Sequence, residues 1–382
     1  MIIGIDVSSV PYGTGVSNYT TNLVRSLVTL DKTNQYKLFF SSLRQPLPLE
    51  ISELSKYSHV KIYHFRIPPT ILTWLWNDLH LLPIELFIGN CDVFHTWDWT
   101  QPPTKSAKTI TTIHDFVPFL FPSTQHPKTI STFKKKLSLA VAECSHFICV
   151  SHNTQTDLNQ LFPQIPNSKV SVIYEAADKK YDQFVKLSPL QKQIKIKKIH
   201  HLYGLSNFIL TQGTREPRKN LDRLIKAFII FKKNNPQSKV ELAISGKYGW
   251  GNDVQPPADN SVKILGFIPE KDIVALHASA LCLVMPSLYE GFGLPLIKSM
   301  KVGTPVITSN LSSLAEIAGN AALLVNPTST SELSAAIEKI VTSPSFRRTL
   351  ANRGYQQASK FSWTTAAKQT LAVYNKVYEN RD

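Results

Sequence analysis

The sequence is short of several things at once. Its 382 residues hold only four cysteines (Cys91, Cys144, Cys149, Cys282), with no zinc-type or redox spacing, so buried thiols in a reducing compartment are expected. No long apolar run occurs either. Ile71 to Gly89 is the most apolar stretch, and Asn77, Asp78, His80 and Glu85 interrupt it, which argues against a membrane span. The opening MIIGIDVSS enters strand-like sequence without a basic segment or cleavage site, so secretion is not expected. Internal repeats, low-complexity tracts and Asp-x-Asp pairs are missing. Acidic residues are scarce, 27 against 42 Lys and Arg, and unevenly so: residues 1–175 carry 12 against 14, residues 176–382 carry 15 against 28. A basic second half suits an anionic ligand or anionic headgroups. Its cations lack interleaved aromatics and any nucleic-acid motif, so no nucleic-acid partner is expected.

What is present is a folded chain, 43% hydrophobic and 18% charged, long enough for two domains of roughly 150–200 residues. Short apolar segments at Ile2–Ile5, Tyr36–Phe40, Val60–Tyr63, Val93–His95, Thr109–Ile113 and Phe147–Val150 alternate with helical or loop sequence. After a lysine-rich connection the same rhythm resumes at Phe208–Gly213, Val240–Ser245, Val262–Leu265, Leu281–Met285 and Thr304–Thr308. Such alternation predicts mostly parallel sheets with helices on both faces. The expected division is 1–175, then 176–363, followed by a last helix over 364–382. Ile71–Phe87 reads as one helix, apolar over much of its surface. It is either packed core or a face against lipid.

The chain is organised around Ser287 to Lys298, SLYEGFGLPLIK. A strand precedes this loop and Pro295 opens a helix after it. Gly291, Phe292, Gly293 and Leu294 bring backbone N–H groups to a helix start, which suits an anion, and Glu290 adds a carboxylate acceptor beside them. A nucleotide-sugar needs both. Gly213 to Leu221 (GTREPRKNL) puts Arg218 and Lys219 at another helix start, where the macrodipole disfavours cations unless phosphate is bound. Near the beginning, Gly13, Thr14 and Gly15 form either a plain turn or a ligand loop after the first strand. His114 of HDFVP follows a strand directly, at the ligand end of a sheet. Lone histidines are commonly structural, and strand-end placement argues for function here.

EGFGLPLIK, GTREPRKN, HDFVP and SNLSSLAE together resemble the signatures of retaining glycosyltransferases of family 4, in order and spacing over nearly the whole chain. The resemblance implies a GT-B fold, α/β, with two Rossmann-like doubly wound domains facing a central cleft and the last helix, 364–382, packing back on the first domain. It also implies a metal-independent hexosyl transfer from a nucleotide-sugar to a glycan or lipid-linked acceptor. GDP-mannose is the first donor expected and a UDP-hexose the other, with no cofactor. By this resemblance Glu290 lies against the donor sugar, His114 near the sugars, and Arg218 and Lys219 on the diphosphate. The loop Gly13–Gly15 then lies near that diphosphate too. Family members carry a second Glu eight residues after the first, holding the ribose hydroxyls, and this chain has Lys298. An ammonium has three donors and no acceptor, so it cannot replace that carboxylate directly. Two outcomes follow: an active enzyme with altered nucleotide binding, or a non-catalytic binding subunit. The expected place of work is the cytoplasm, with peripheral contact at the inner face of the membrane.

Overall fold

The computed structural model describes residues 1–97, 99–251 and 253–380. The chain divides into two compact units, Met1–Glu175 with Ser362–Asp382, and Ala176–Phe361.

In the first unit β1 (Ile2–Asp6), β2 (Gln35–Ser41), β3 (Val60–Phe65), β4 (Val93–Thr96), β5 (Lys108–Ile113), β6 (His146–Cys149) and β7 (Val170–Val172) form one parallel sheet in the order β3-β2-β1-β4-β5-β6-β7. Every residue of β4 and β6 is buried, as expected of strands covered on both faces. Thr14 starts the helix Gly15–Leu30 with a reciprocal capping box: its Oγ1 accepts from the Ser17 N–H and its own N–H donates to Ser17 Oγ. The helix Trp363–Glu379 belongs to this unit. Its Tyr374 hydroxyl meets His95 Nδ1 at 2.6 Å, and Lys376 Nζ donates to the Ser168 carbonyl at 2.7 Å. Residues 381 and 382 of the expected helix lie outside the described residues.

The second unit repeats the plan with β8 (Phe208–Gln212), β9 (Glu241–Ser245), β10 (Val262–Gly266), β11 (Cys282–Met285), β12 (Val306–Ser309) and β13 (Leu323–Val325), all parallel, in the order β10-β9-β8-β11-β12-β13. Its core sits under the helices Leu221–Asn234 and Thr330–Thr342, where Leu224, Phe228, Phe231, Leu333 and Ile337 are fully buried against the sheet. In each sheet the strand order reverses once, between β1 and β4 and between β8 and β11. Crevices for ligands open at such points, beyond the carboxyl ends of the strands.

Two sequence expectations need correction. The single helix over 71–87 is replaced by a helix Pro69–Thr73, a π-helical turn Trp74–Asp78 and a four-residue helix Glu85–Ile88. His80 and Leu82 between them have φ of +52° and +61°, values an α-helix cannot contain, and the Trp76 indole N–H is spent on the Leu82 carbonyl. Arg218 and Lys219 lie in a 3₁₀ turn, Pro217–Lys219, ahead of the α-helix rather than in its first turn. Left-handed Asn220 makes the corner, tied to the Pro286 and Pro327 carbonyls by its side-chain amide.

Candidate active site

The strongest constellation lies at the switch point of the second sheet. The loop after β8 carries Gly213 to Lys219, and the loop after β11 carries Ser287 to Gly293. Close backbone contact fixes this end of the sheet. A Cβ on Gly246, after β9, would stand 1.8 Å from the Gly213 carbonyl oxygen, and Gly246 has φ +139°. Beside this contact a small cavity is lined by Gln212, Gly213, Lys219, Ser245 and Ser287.

Arg218, Lys219 and Glu290 converge. Arg218 Nη1 lies 2.8 Å from Glu290 Oε2, and Lys219 Nζ lies 2.6 Å from Oε1. The Arg218 guanidinium also reaches the Glu216 carboxylate and the Tyr289 carbonyl. Backbone bonds hold the carriers: the Leu288 N–H donates to the Arg218 carbonyl at 2.9 Å, the Glu290 N–H to Ser312 Oγ at 3.1 Å, and Ser313 Oγ to the Glu290 carbonyl at 2.8 Å. Glu290 is only 8% exposed. Burial pushes its carboxyl up, but Arg218 and Lys219 outweigh that and bring it down to about 2, so it is ionised at neutral pH. The loop after β11 thus presents a carboxylate acceptor clasped by two cations from the loop after β8.

Behind the carboxylate the chain turns into the helix Leu294–Lys301. Gly293 forms its N-cap at φ +97°, where a Cβ would come 2.7 Å from Leu314, and Pro295 sits in the first turn. The Phe292 ring is buried edge-on against Phe361 at 5.8 Å, so this residue offers its backbone rather than its ring. Glu216 and Ser312 complete the cluster. Sequence reasoning gives neither residue a task, because their tasks exist only once Arg218 and Glu290 are side by side.

Of the other candidates, four belong to the first unit and Lys298 to the second. Gly13, Thr14 and Gly15 are exposed in the first unit; Gly13 makes a left-handed turn at φ +64° and the Thr14 side chain is engaged in capping. His114, in the same unit, is 9% exposed and packs edge-on against Tyr19 at 4.7 Å. Lys298 is buried too, but its Nζ meets Asp178 Oδ2 at 3.1 Å rather than Glu290. Asp178 also pairs with Lys180 at 3.1 Å. Among the described residues no group of three or more His, Cys, Asp or Glu is placed to hold a metal ion.

Known proteins share this architecture and its sequence. A family model described as "Glycosyltransferase Family 4" matches residues 13–181, and one described as "Glycosyl transferases group 1" matches residues 192–357. The O-antigen chain mannosyltransferase B of Escherichia coli is 28% identical over 378 residues, 94% of this chain and 96% of that protein. Among solved structures, the sucrose-phosphate synthase of Thermosynechococcus elongatus superimposes with a TM-score of 0.72 at 18% identity, over 99% of each chain. Anabaena HepE, in complex with UDP and glucose, gives 0.67 at 18% identity, over 98% of this chain and all of the other.

Proposed function

Because the chain belongs to the glycosyltransferases of family 4, built on the GT-B fold, we propose that it moves a hexose, with retention and without a metal, from a nucleotide-sugar to a glycan or lipid-linked acceptor. GDP-mannose is the donor favoured by the similarity to an O-antigen mannosyltransferase, and a UDP-hexose is the competitor suggested by HepE.

The observation that carries this reading is the clasp of Glu290 by Arg218 and Lys219 beside the glycine loop. Transfer breaks the anomeric C–O bond, leaving an oxocarbenium-like sugar and adding negative charge to the departing diphosphate. Arg218, Lys219 and the amides from Gly291 to Leu294 are the donors for that charge, and Arg218 is buried, where preorganised dipoles act most strongly. Glu290, ionised and held from both sides, accepts from hydroxyls of the donor sugar. His114 is assigned a contact near the acceptor, and Gly13 to Gly15 a backbone approach to the diphosphate. Intact Glu290, Arg218 and Lys219 favour an enzyme over a non-catalytic binding subunit. Incubating the protein with GDP-mannose, UDP-glucose or UDP-galactose and following nucleoside diphosphate release tests the reading. Proton NMR of the glycosylated product then reports the anomeric configuration. Release from none of the three donors, with and without a lipid-linked glycan acceptor, would defeat it.

A second feature supports work at a membrane surface. Ile71, Trp74, Leu81 and Leu86 are 48%, 55%, 54% and 58% exposed around the broken segment, whose Asp78 pairs with Lys135. Exposed Lys128 and Lys134 lie on the same helix as Lys135, Pro127–Glu143. Apolar side chains beside ammonium groups suit the anionic inner face of a bilayer. Among the described residues no helix is long and apolar enough to cross one. Co-sedimentation with phosphatidylglycerol vesicles but not phosphatidylcholine vesicles is the expected result.

A further inference from the structure

We infer that Asp178, delivered from outside the glycine loop, is the carboxylate that accepts the ribose hydroxyls of the donor nucleotide, with Lys298 as the residue that positions it. The inference rests on the donor-binding reading above and adds a residue to that site.

The fold places Asp178 at the correct edge. The helix Glu270–Ser279 runs from the end of β10 to the start of β11, two strands of one parallel sheet, so its first residue lies at the carboxyl edge. Lys180 joins Glu270 to Asp178, which brings Asp178 to that edge as well. Helix geometry supplies the spacing: Lys298 is four residues beyond Leu294, about 6 Å further along the axis from the amides assigned to the diphosphate. A ribose follows a diphosphate by about that step. Hydrogen bonds lead from the neighbour of Lys298 to the wall of the cavity beside Lys219. Ser299, next to Lys298, meets His277 Nδ1 at 2.7 Å, and His277 Nε2 reaches Gln212 at 2.5 Å in the cavity wall.

The chemistry of the pair fits a diol. Lys298 and Lys180 both approach a single oxygen, Oδ2, of Asp178. Two ammonium groups keep the carboxylate ionised and fix its orientation, and an ionised carboxylate is an acceptor that takes bonds from vicinal hydroxyls. Tyr181, wholly buried, lies against the same group, its ring centre 5.9 Å from Lys298 Nζ. Its hydroxyl has no hydrogen-bond partner among the described residues, so the cluster also contains an unspent polar atom. Of the other buried carboxylates of this unit, Glu290 and Glu216 already form the clasp with Arg218 and Lys219, and Asp272 accepts from the Tyr203 hydroxyl.

The test measures binding of GDP and UDP, and of their 2′-deoxy counterparts, by calorimetry. The native protein should prefer the ribose form by about ten- to a hundredfold, the worth of one charged hydrogen bond. Asp178→Asn should erase that preference by weakening the ribose nucleotide alone, while Glu270→Gln keeps it. If Asp178→Asn fails to fold with Lys298 left unpaired, Asp178→Asn/Lys298→Met removes both charges and takes its place. Asp178→Asn/Lys298→Glu returns a carboxylate from the opposite side and should restore the preference, which a merely structural role would not. A ribose preference surviving in a folded Asp178 variant overturns the inference. Absence of binding by the native protein to either diphosphate overturns the donor reading and this inference with it.

Discussion

Lys219 Nζ and Glu290 Oε1 stand 2.6 Å apart, with Arg218 on the other carboxylate oxygen. The cations assigned to the diphosphate therefore neutralise the carboxylate assigned to the sugar, and a diphosphate has to compete with Glu290 for them. Glu290→Gln should then bind a nucleoside diphosphate more tightly, by about tenfold, while sugar transfer falls by about 10²–10³. Calorimetry with GDP and UDP beside a turnover assay separates the two effects. Weaker diphosphate binding in this variant would show that Glu290 does not compete for the cations.

Acid stability follows from Glu290 and from buried histidines, three of which act first. Burial, aided by Lys136 and His114 for His95 and by Lys298 and Lys180 for His277, lowers both rings from 6.5 to about 3, and burial aided by Lys376 and Lys169 lowers His146 to about 4. Each is neutral in the folded state and takes a proton on unfolding below 6.5. Their contribution is complete above that pH and is lost as pH falls towards 3. Three such protons give a slope of about 4 kcal/mol per pH unit. Glu290, lowered from 4.5 to about 2, joins only below about 4.5, where the unfolded carboxyl protonates and the folded one does not. Urea unfolding from pH 7.5 to 4 should show stability falling from about pH 6.5. His277→Gln should remove about a third of the slope above pH 4.5; an unchanged slope contradicts a neutral buried His277.

Much of the fold was legible because strands of a parallel sheet, buried on both faces, read as short apolar runs. The two strands that the sequence does not announce, β7 and β13, are three residues each and give no run to see. Apolar spacing over 71–87 continued through a break that hydrogen bonds and two left-handed residues impose, so periodicity alone could not find it. At the site, Arg218, Lys219 and Glu290 announced themselves as charged residues in strand-to-helix loops. Asp178 did not. Its meaning comes from Lys298, far along the chain, and only folding brings the two together.

Two glycines separate a packing role from a ligand role. Gly246→Ala forces a Cβ into the Gly213 carbonyl at a φ that L-residues avoid, and should cost about 2–4 kcal/mol or prevent folding of the second unit. Gly15 begins a helix at an ordinary φ, and a methyl group added there would have nothing within 4 Å. Gly15→Ala should leave stability unchanged or raise it by about 0.4–1 kcal/mol. If the loop approaches the diphosphate, the same substitution raises the donor KM; if the loop is only a turn, KM stays put. Thermal unfolding and initial-rate kinetics on the two variants decide both points.

Restoring the family's acidic residue by Lys298→Glu should not by itself improve the enzyme. The new carboxylate would face Asp178 across the space now filled by an ammonium group, exchanging a buried attraction for a buried repulsion. Breaking a buried pair in this way costs about 3–5 kcal/mol. Lys298→Met should be milder, because Lys180 still neutralises Asp178. Thermal unfolding is therefore expected to rank native above Lys298→Met above Lys298→Glu, with donor affinity in Lys298→Glu no better than native. A stable Lys298→Glu protein with tighter donor binding would mean that Asp178 yields its place without cost and that the native lysine weakens the site.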